Sequence, residues 1–442
     1  MNSNNRRTKM VTLGVAVTCL AVISAAILIG PGSDTSRARN QLAAASTARP
    51  ISETQEFIWN TTDELDDGIN DANDNALLGH AELQLARETG DPVHYARAEE
   101  AFERASEIDP ENVEALIGMG ALALARHEFT VALGLGERAL ALNDSIPRIY
   151  GLIGDAQVEL GRYDEALATV QRMVDLRPDL ASYSRVSYLR ELHGDLSGAI
   201  DAMQLALEAG GPNAENTEYV RVQLGHLHFA VGDLTSAEAA FATSQQRLPD
   251  FSPATSGLAR VRAAQGSLTE AIELYRQATD RVPLAEHIVA LGEVYEADGR
   301  DAEARDQYEL AEAMQALFEA NGVETDLELA AFLADHGDPQ RAVALAREAY
   351  ARTPTTAAAD ILGWALLAAG EIDEAARYAD DALRLGGRNS RVLFHAGMIA
   401  EAAGQPQLAR ERLELALELN PAFSPLHAPL AVEALARLED DG

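Results

Sequence analysis

The residue types that most often carry chemistry are sparse in this chain. Its only cysteine is Cys19 and its only lysine is Lys9. Residues 31–442 therefore cannot form a disulfide, a cysteine zinc site or a cysteine nucleophile, and they have no lysine for a phosphate loop or a Schiff base. The sequence predicts no catalytic residue and no cofactor, so we expect a protein that is not an enzyme.

Three other patterns resemble ligand sites only in part. His226 and His228 are two residues apart and diverge on a helix, so they do not form a metal pair. The glycines between Gly118 and Ala123 resemble a dinucleotide loop, but no strand precedes them. Four residues match part of a calcium loop: Asp71, Asn73, Asn75 and Glu82. Ala76 stands where that loop needs glycine, so no metal is expected, and calcium is a minor alternative.

Small residues and prolines recur along the chain with a fixed spacing. Six prolines each follow an alanine by twelve residues, and the proline positions are Pro110, Pro178, Pro249, Pro283, Pro354 and Pro421. Their alanines are Ala98, Ala166, Ala237, Ala271, Ala342 and Ala409. Pro249 and Pro283 are 34 residues apart. A period of this length predicts stacked helical hairpins.

The repeat between residues 252 and 283 shows what each position must do. Ala259 and Ala271 are small because the two helices of a hairpin cross closely there. Gly266 ends the first helix, since glycine accepts a positive φ at low cost. Tyr275 fills the wider part of the interface, and Pro283 ends the second helix because it has no backbone N–H to donate.

These offsets resemble the tetratricopeptide repeat family. The segments Gly161–Pro178 and Gly232–Pro249 carry the pattern most clearly, and the resemblance covers residues 74–421 in about ten copies. It implies an all-α, right-handed α-solenoid. A closing helix and an acidic tail are expected over 422–442, and an N-terminal capping helix region over 52–73.

Some repeats depart from the pattern. Asp144 replaces a proline, and Gly211 and Pro212 shift one boundary. The repeat that contains Gly299 lacks its proline, so its second helix is expected to continue toward Asn321. The stretch from Gly90 to Tyr95 predicts a longer turn in the first repeat.

In this family the first helix of each hairpin lines a concave groove, and the resemblance implies which residues point into it. Arginine and aromatic side chains are common anchors of peptide interfaces. The predicted groove-binding residues are Arg148, Arg185, Tyr188, Tyr219, Gln223, His226, Arg260, Trp364, Phe394 and Met398. The lysine, asparagine and arginine clamp of chaperone-tail binders is not expected, because Ile117 and Ala121 occupy two of its positions.

The N-terminus predicts a membrane segment. Basic residues precede an uncharged apolar run, Val11–Ile29, whose nineteen helical residues would span about 28 Å. Residues 1–30 are therefore expected to be a transmembrane anchor, with a cleaved signal peptide as the alternative. Residues 31–51 are expected to be a flexible spacer. The charge pattern favours an array outside the cytoplasm of a bacterial cell, held at the membrane or released after cleavage.

The composition narrows the class of partner. The formal net charge of −35 repels phosphate backbones, so nucleic acid is not expected as a partner. We expect a non-enzymatic scaffold at the cell envelope whose groove binds an unidentified protein or peptide, with no small-molecule substrate and with membrane contact through the N-terminal helix only. The alternative is an accessory role in secretion or in export of an envelope polysaccharide. An enzymatic role ranks third.

Overall fold

Twenty-two helices and no strand make up the part of the chain that the structure describes. The structure, a computed structural model, describes residues 52–66, 71–210 and 214–440. In chain order the helices are α1 (Glu53–Asp66), α2 (Ala72–Thr89), α3 (Val93–Ile108), α4 (Val113–Ala125), α5 (Phe129–Leu142), α6 (Pro147–Glu159), α7 (Tyr163–Leu176), α8 (Leu180–Leu192), α9 (Leu196–Ala209), α10 (Ala214–Ala230), α11 (Leu234–Arg247), α12 (Ser252–Ala264), α13 (Leu268–Arg281), α14 (Ala285–Ala297), α15 (Asp301–Glu319), α16 (Asp326–His336), α17 (Pro339–Arg352), α18 (Thr356–Ala368), α19 (Ile372–Ala382), α20 (Ser390–Ala402), α21 (Pro406–Leu419) and α22 (His427–Asp440).

Consecutive helices from α2 to α21 pair into ten antiparallel hairpins. Most hairpins also pack closely on the next one, so the core is a series of small apolar clusters and not one globular interior. Between the seventh hairpin (α14–α15) and the eighth (α16–α17) the backbones are farther apart, and side chains such as Tyr308 and Phe332 make the contact. At the ends, α1 packs on α2, and α22 packs on α20 and α21. The predicted all-α array of stacked hairpins is confirmed.

The alanines that precede the prolines lie at the closest point of each hairpin. All six have no exposed surface, among them Ala98, Ala271 and Ala409. Ala259, on the facing helix of its hairpin, is also fully buried and belongs to the same apolar cluster as Ala271 and Tyr275. A larger side chain at these positions would force the two helices apart, which is why the sequence keeps them small.

The turn inside nine of the ten hairpins contains one residue with positive φ. Gly266 has φ +76°, as predicted. In the repeat where Asp144 replaces proline, His127 takes the glycine position and adopts φ 63°. Gly337 occupies the same position but has φ −137°, so its turn is built differently. The glycine pattern therefore locates the turns without fixing the geometry of every one.

Two expectations about individual repeats had different outcomes. Helix α15 continues to Glu319, so the second helix without its proline runs on toward Asn321 as predicted. The longer turn predicted between Gly90 and Tyr95 is wrong. Helix α2 ends at Thr89 and α3 begins at Val93, which leaves a three-residue turn. Residues 93–95 belong to α3 instead, which has 16 residues where α5 and α7 each have 14.

The predicted N-terminal anchor and spacer, residues 1–51, lie outside the described residues. The boundary at Gly211 and Pro212 lies outside them too. No helix in the described ranges is both long enough and apolar enough to cross a membrane.

The stack winds far enough to touch itself. The turns inside hairpins one to five contact the connections that follow hairpins six to ten, and we call this row of contacts the seam. Its five pairs, in order, are Gly90 with Val282, Arg126 with Glu324, Gly161 with Pro354, Gly194 with Gly386, and Phe229 with Asn420. The last contact spans 191 residues, and the hydrogen bond from the amide of Thr356 to the hydroxyl of Tyr163 spans 193. Because this separation is nearly constant, hairpins one to five and six to ten are successive turns of one superhelix.

Candidate functional site

The inner surface of the superhelix is formed by the first helix of each hairpin. First helices of neighbouring hairpins contact each other directly, for example α4 with α6 and α18 with α20. In a curved stack the elements that approach most closely lie on the inside of the curve. All ten predicted groove residues are on first helices, but their environments differ.

Arg185 is a structural residue. It is 3% exposed and forms two hydrogen bonds with the carboxylate of Asp155, from Nε at 2.9 Å and from Nη2 at 2.6 Å. Its Nη1 donates to the carbonyl of Ala181, one turn earlier in α8. The burial of Arg185 corrects its prediction as a partner contact. Arg148 is more exposed, but its guanidinium donates to both carboxylate oxygens of Glu114.

Phe394 also belongs to the core. It has no exposed surface, and its ring stacks on that of His427 with centroids 5.0 Å apart. Phe394 therefore cannot touch a partner in this conformation, which corrects the prediction. Met398, on the same helix, is half-buried and packs against the apolar cluster that contains Phe394.

Trp364 is half-buried on α18 and has specific partners. Its indole Nε1 donates to Oδ1 of Asp335 at 2.7 Å. Its ring stacks on His395, with centroids 4.3 Å apart. One edge of Trp364 is therefore held by hydrogen bonding and one face by stacking, so only the remaining surface can meet a partner.

The middle of the inner surface carries half-buried polar and aromatic residues on α8 and α10: Tyr188, Tyr219, Gln223 and His226. His226 packs edge-on against the ring of Phe241 at 5.0 Å. Burial lowers the pKa of His226 to about 3, with smaller contributions from the charges of Arg260 and His287. The imidazole is therefore neutral at physiological pH and does not act as a cation.

Arg260 is the predicted residue best placed to meet a partner. It is exposed, and its guanidinium lies over the ring of Phe229, 4.2 Å from the centroid. The guanidinium lies in the enclosed interior, where desolvation lowers the pKa of Arg260, while the nearby Tyr275, Glu293 and Glu286 act against that shift.

Side chains also cross the interior between helices that are several hairpins apart. Nη2 of Arg391 on α20 lies 3.8 Å from Oε1 of Glu293 on α14. Nε2 of His427 on α22 lies 3.5 Å from Oδ1 of Asp335 on α16. At the N-terminal end, Gln84 on α2 donates to Glu215 on α10. The interior is thus narrow and polar where these side chains meet.

Sequence reasoning missed a group of titratable residues at this crossing point. One potential ligand atom from each of Glu293, Asp335 and His336 lies within 4.8 Å of the other two. Burial raises the pKa of Asp335, but the contact with His427 and the charges of His427, Arg391 and His395 together hold it well below its ordinary value. No short motif joins these positions, because the first helices of two adjacent hairpins bring them together.

Buried carboxylates also lie beside the seam. Burial raises the pKa of Glu159 to about 8, and the neighbouring Asp155 adds to the effect. Burial likewise raises the pKa of Glu191 to about 7 and that of Glu328 well above its ordinary range. At physiological pH these residues are partly or fully protonated, so the seam carries less negative charge than its composition suggests.

Comparison with known proteins places the repeat in a family. The tetratricopeptide repeat model matches residues 83–147, 152–214, 222–286 and 362–423, which together exceed half of the chain. A curated relative, cellulose synthase operon protein C of Xanthomonas axonopodis pv. citri (strain 306), is 27% identical over 347 residues. That match covers 74% of this chain and 20% of the relative, so the chain spans about a fifth of that protein's length.

Solved structures with similar folds share little sequence with the chain. The APC/C hetero-tetramer Cut9–Hcn1 is 18% identical, with a TM-score of 0.38, and the match covers 83% of this chain and 76% of that one. The human IFIT1 dimer with PPP-AAAA is 16% identical, with a TM-score of 0.39 and coverages of 79% and 72%. On the family match and the ten stacked hairpins, the chain belongs to the tetratricopeptide repeat family.

Proposed function

We propose that the array is a non-enzymatic scaffold at the cell envelope that binds an extended segment of a protein partner against its inner surface. Arrays of this family typically serve as non-catalytic scaffolds for protein–protein interaction. The proposed contact region is the middle of the inner surface, from α8 to α12. Tyr188, Tyr219, Gln223 and Arg260 supply its side chains.

The exposed Arg260 is the observation that carries this proposal. An exposed guanidinium that lies over an aromatic ring can form hydrogen bonds with a partner's carboxylate or backbone carbonyl groups. The underlying Phe229 ring holds it in place, which lowers the entropy lost on binding. The two tyrosines add large, rigid contact surfaces.

Site-specific photo-crosslinking tests this proposal. A photoreactive amino acid replaces Arg260 on the inner surface or, as the matched control, the exposed Arg276 on the second helix of the same hairpin. The full chain is expressed in its source cells and irradiated. We expect one protein to be crosslinked from position 260 and not from position 276. Equal labelling from both positions, or no labelling, would contradict the proposal.

A second candidate function is an accessory role in export of an envelope polysaccharide. The curated relative named for a cellulose synthase operon supports it, because the match extends over three quarters of this chain. The half-buried Trp364 and tyrosines of the inner surface offer ring surface and hydrogen-bonding groups of the kind that bind sugars.

Affinity electrophoresis separates the two candidates. Migration of the full chain is compared in gels with and without soluble cello-oligosaccharide, beside a Tyr219→Ala variant. Retardation that is lost in the variant favours the export role. Migration that the sugar leaves unchanged favours the protein scaffold.

A further inference from the structure

We propose that Glu293, Asp335 and His336 bind a divalent transition-metal ion such as Zn²⁺ on the inner surface, where α14 meets α16. No metal motif is present in the sequence, and the site adjoins the partner-contact region, since the charge of Glu293 acts on Arg260. The proposal rests on the placement of the three side chains, on the groups that orient them and on the environment of Glu293.

The three side chains come from two neighbouring first helices and are well shielded from solvent. Their side-chain exposures are 11% for Glu293, 11% for Asp335 and 9% for His336. One ligand atom of each lies within 4.8 Å of the others. In a tetrahedral zinc site the ligand atoms are roughly 3.4 Å apart, since each metal–ligand bond is about 2.0–2.2 Å long. Metal binding therefore requires side-chain rotations that bring the ligand atoms closer by up to about 1.4 Å.

Groups outside the trio orient two of its members. Oδ1 of Asp335 accepts a hydrogen bond from Nε1 of Trp364 and faces Nε2 of His427, so Oδ2 is left for a metal. The ring of His336 stacks on Tyr308, with centroids 4.3 Å apart, and its Nδ1 lies 3.7 Å from Oε2 of Glu296. A carboxylate beside one nitrogen of a histidine, and hydrogen bonds to a ligating carboxylate, are the usual surroundings of metal ligands.

The environment of Glu293 supports the proposal. The residue is 9% exposed, and Nη2 of Arg391 lies 3.8 Å from its Oε1, on a side chain that is 47% exposed. The charge of Glu293 also acts on Arg260. A largely buried carboxylate is costly unless cations compensate it. A metal ion at the trio would supply that compensation at shorter distance than Arg391 does.

The ligand types indicate the class of metal. One imidazole and two carboxylates form a mixed nitrogen and oxygen set, which suits Zn²⁺ and its first-row neighbours better than Ca²⁺, because Ca²⁺ takes six to eight oxygen ligands. Three protein ligands leave a coordination position for water or for a ligand from a partner. The two carboxylates and a neutral imidazole balance the charge of a divalent ion.

Isothermal titration of the full-length chain with Zn²⁺ tests the proposal. The protein is purified in mild detergent, treated with a chelator, and carries Cys19→Ser so that the thiol cannot bind zinc. We expect one ion per chain. Glu293→Gln and His336→Gln should each weaken binding at least tenfold, whereas His193→Gln, at a half-buried histidine far from the trio, should not. Arg391→Gln should tighten binding several-fold because it removes the competing cation.

Co²⁺ spectroscopy gives a readout that does not depend on the variants folding. Bound Co²⁺ should show ligand-field bands of a nitrogen and oxygen site, and Zn²⁺ should abolish them by displacement. Failure of the parent chain to bind one equivalent of Zn²⁺ would overturn the proposal. Unchanged Zn²⁺ affinity in folded Glu293→Gln and His336→Gln variants would also overturn it.

Discussion

At the scale of single residues, the inner surface carries some charged side chains that are held in buried ion pairs and others that are exposed to a partner. Arg185 and Arg260 occupy similar places in the sequence pattern, but Arg185 is buried against Asp155 and Arg260 is exposed. A buried ion pair is costly to break, since removal of one partner leaves the other charge without compensation. A substitution that removes the charge of Arg185 should therefore lower the stability of the fold, and any loss of partner binding should follow from that.

Replacement of Arg185 by Gln should lower the free energy of unfolding by about 3–5 kcal/mol. Asp155 would keep its charge in a buried position without the two hydrogen bonds that now satisfy it. Urea denaturation followed by circular dichroism measures the effect. Arg162→Gln, which breaks the exposed pair with Glu165, is the control and should change stability little. Equal effects of the two changes would show that the Asp155 pair is not buried in solution.

The buried Glu159 should make stability depend on pH. Its pKa rises from an ordinary value of 4.5 to about 8 in the folded chain, and its charged neighbours are Asp155 on its own helix and Glu328 on α16. Because the folded state holds the proton more tightly, the contribution of Glu159 is fully present below pH 4.5 and is lost as the pH rises to 8. The loss is about 5 kcal/mol at most.

Glu159→Gln should therefore raise the urea midpoint of the chain at pH 8.5 and leave it nearly unchanged at pH 5. The amide stays neutral, so the variant does not lose stability as the pH rises. Exposed Glu137→Gln is the matched control on a neighbouring hairpin. The same midpoint shift at both pH values would contradict the assignment of a raised pKa.

At the scale of helices, the close approach of the two helices in a hairpin limits the size of the side chains at the contact. Ala259 and Ala271 meet where the helices are closest, and Tyr275 fills the space beyond them. Since this hairpin also packs on its neighbours, a disturbance in its crossing should reach the adjacent repeats.

Ala271→Leu should lower the free energy of unfolding by about 1–3 kcal/mol, because the larger side chain overfills a packed crossing. Ala302→Leu, at an exposed position of α15, is the control with the same change in volume. Thermal unfolding compares the two variants. Equal melting temperatures would mean that Ala271 does not lie at the crossing.

These examples also show how far the sequence predicts the structure. Periodic alanines, glycines and prolines predict the hairpins, because each meets a local steric requirement. They do not predict the left-handed His127 or the extended Gly337, since neighbouring contacts decide those turns. Glu293 and Asp335 meet because the first helices of two adjacent hairpins lie side by side, and no local pattern encodes that contact.

At the scale of the whole molecule, the seam determines the shape of the interior. A tetratricopeptide array without contacts between its turns would behave as a spring, whereas here each turn of the superhelix rests on the next. Asn420 donates to the carbonyl of Phe229 at 2.7 Å, and the carbonyl of Pro354 packs against Gly161. The seam closes the side of the superhelix, so a partner would enter the interior from its ends or after the turns separate.

Gly194→Ala should loosen the seam. A β-carbon at this position would collide with the backbone carbonyl of Gly386, in addition to the cost of a positive φ. Gly404→Ala is the matched control, because Gly404 also has a positive φ but faces open space. Small-angle X-ray scattering should show a longer particle for Gly194→Ala and an unchanged one for Gly404→Ala. Identical profiles would contradict a tight contact at Gly194.

Pulsed electron paramagnetic resonance on the full chain tests whether the two turns touch in solution. Spin labels replace the exposed Arg162 and Ala351, which are more than five repeats apart in sequence but flank the contact between Gly161 and Pro354, in a Cys19→Ser background. Stacked turns predict a single narrow distribution at short distance. A broad distribution at long distance would show that the turns are separate and that the enclosed interior does not exist.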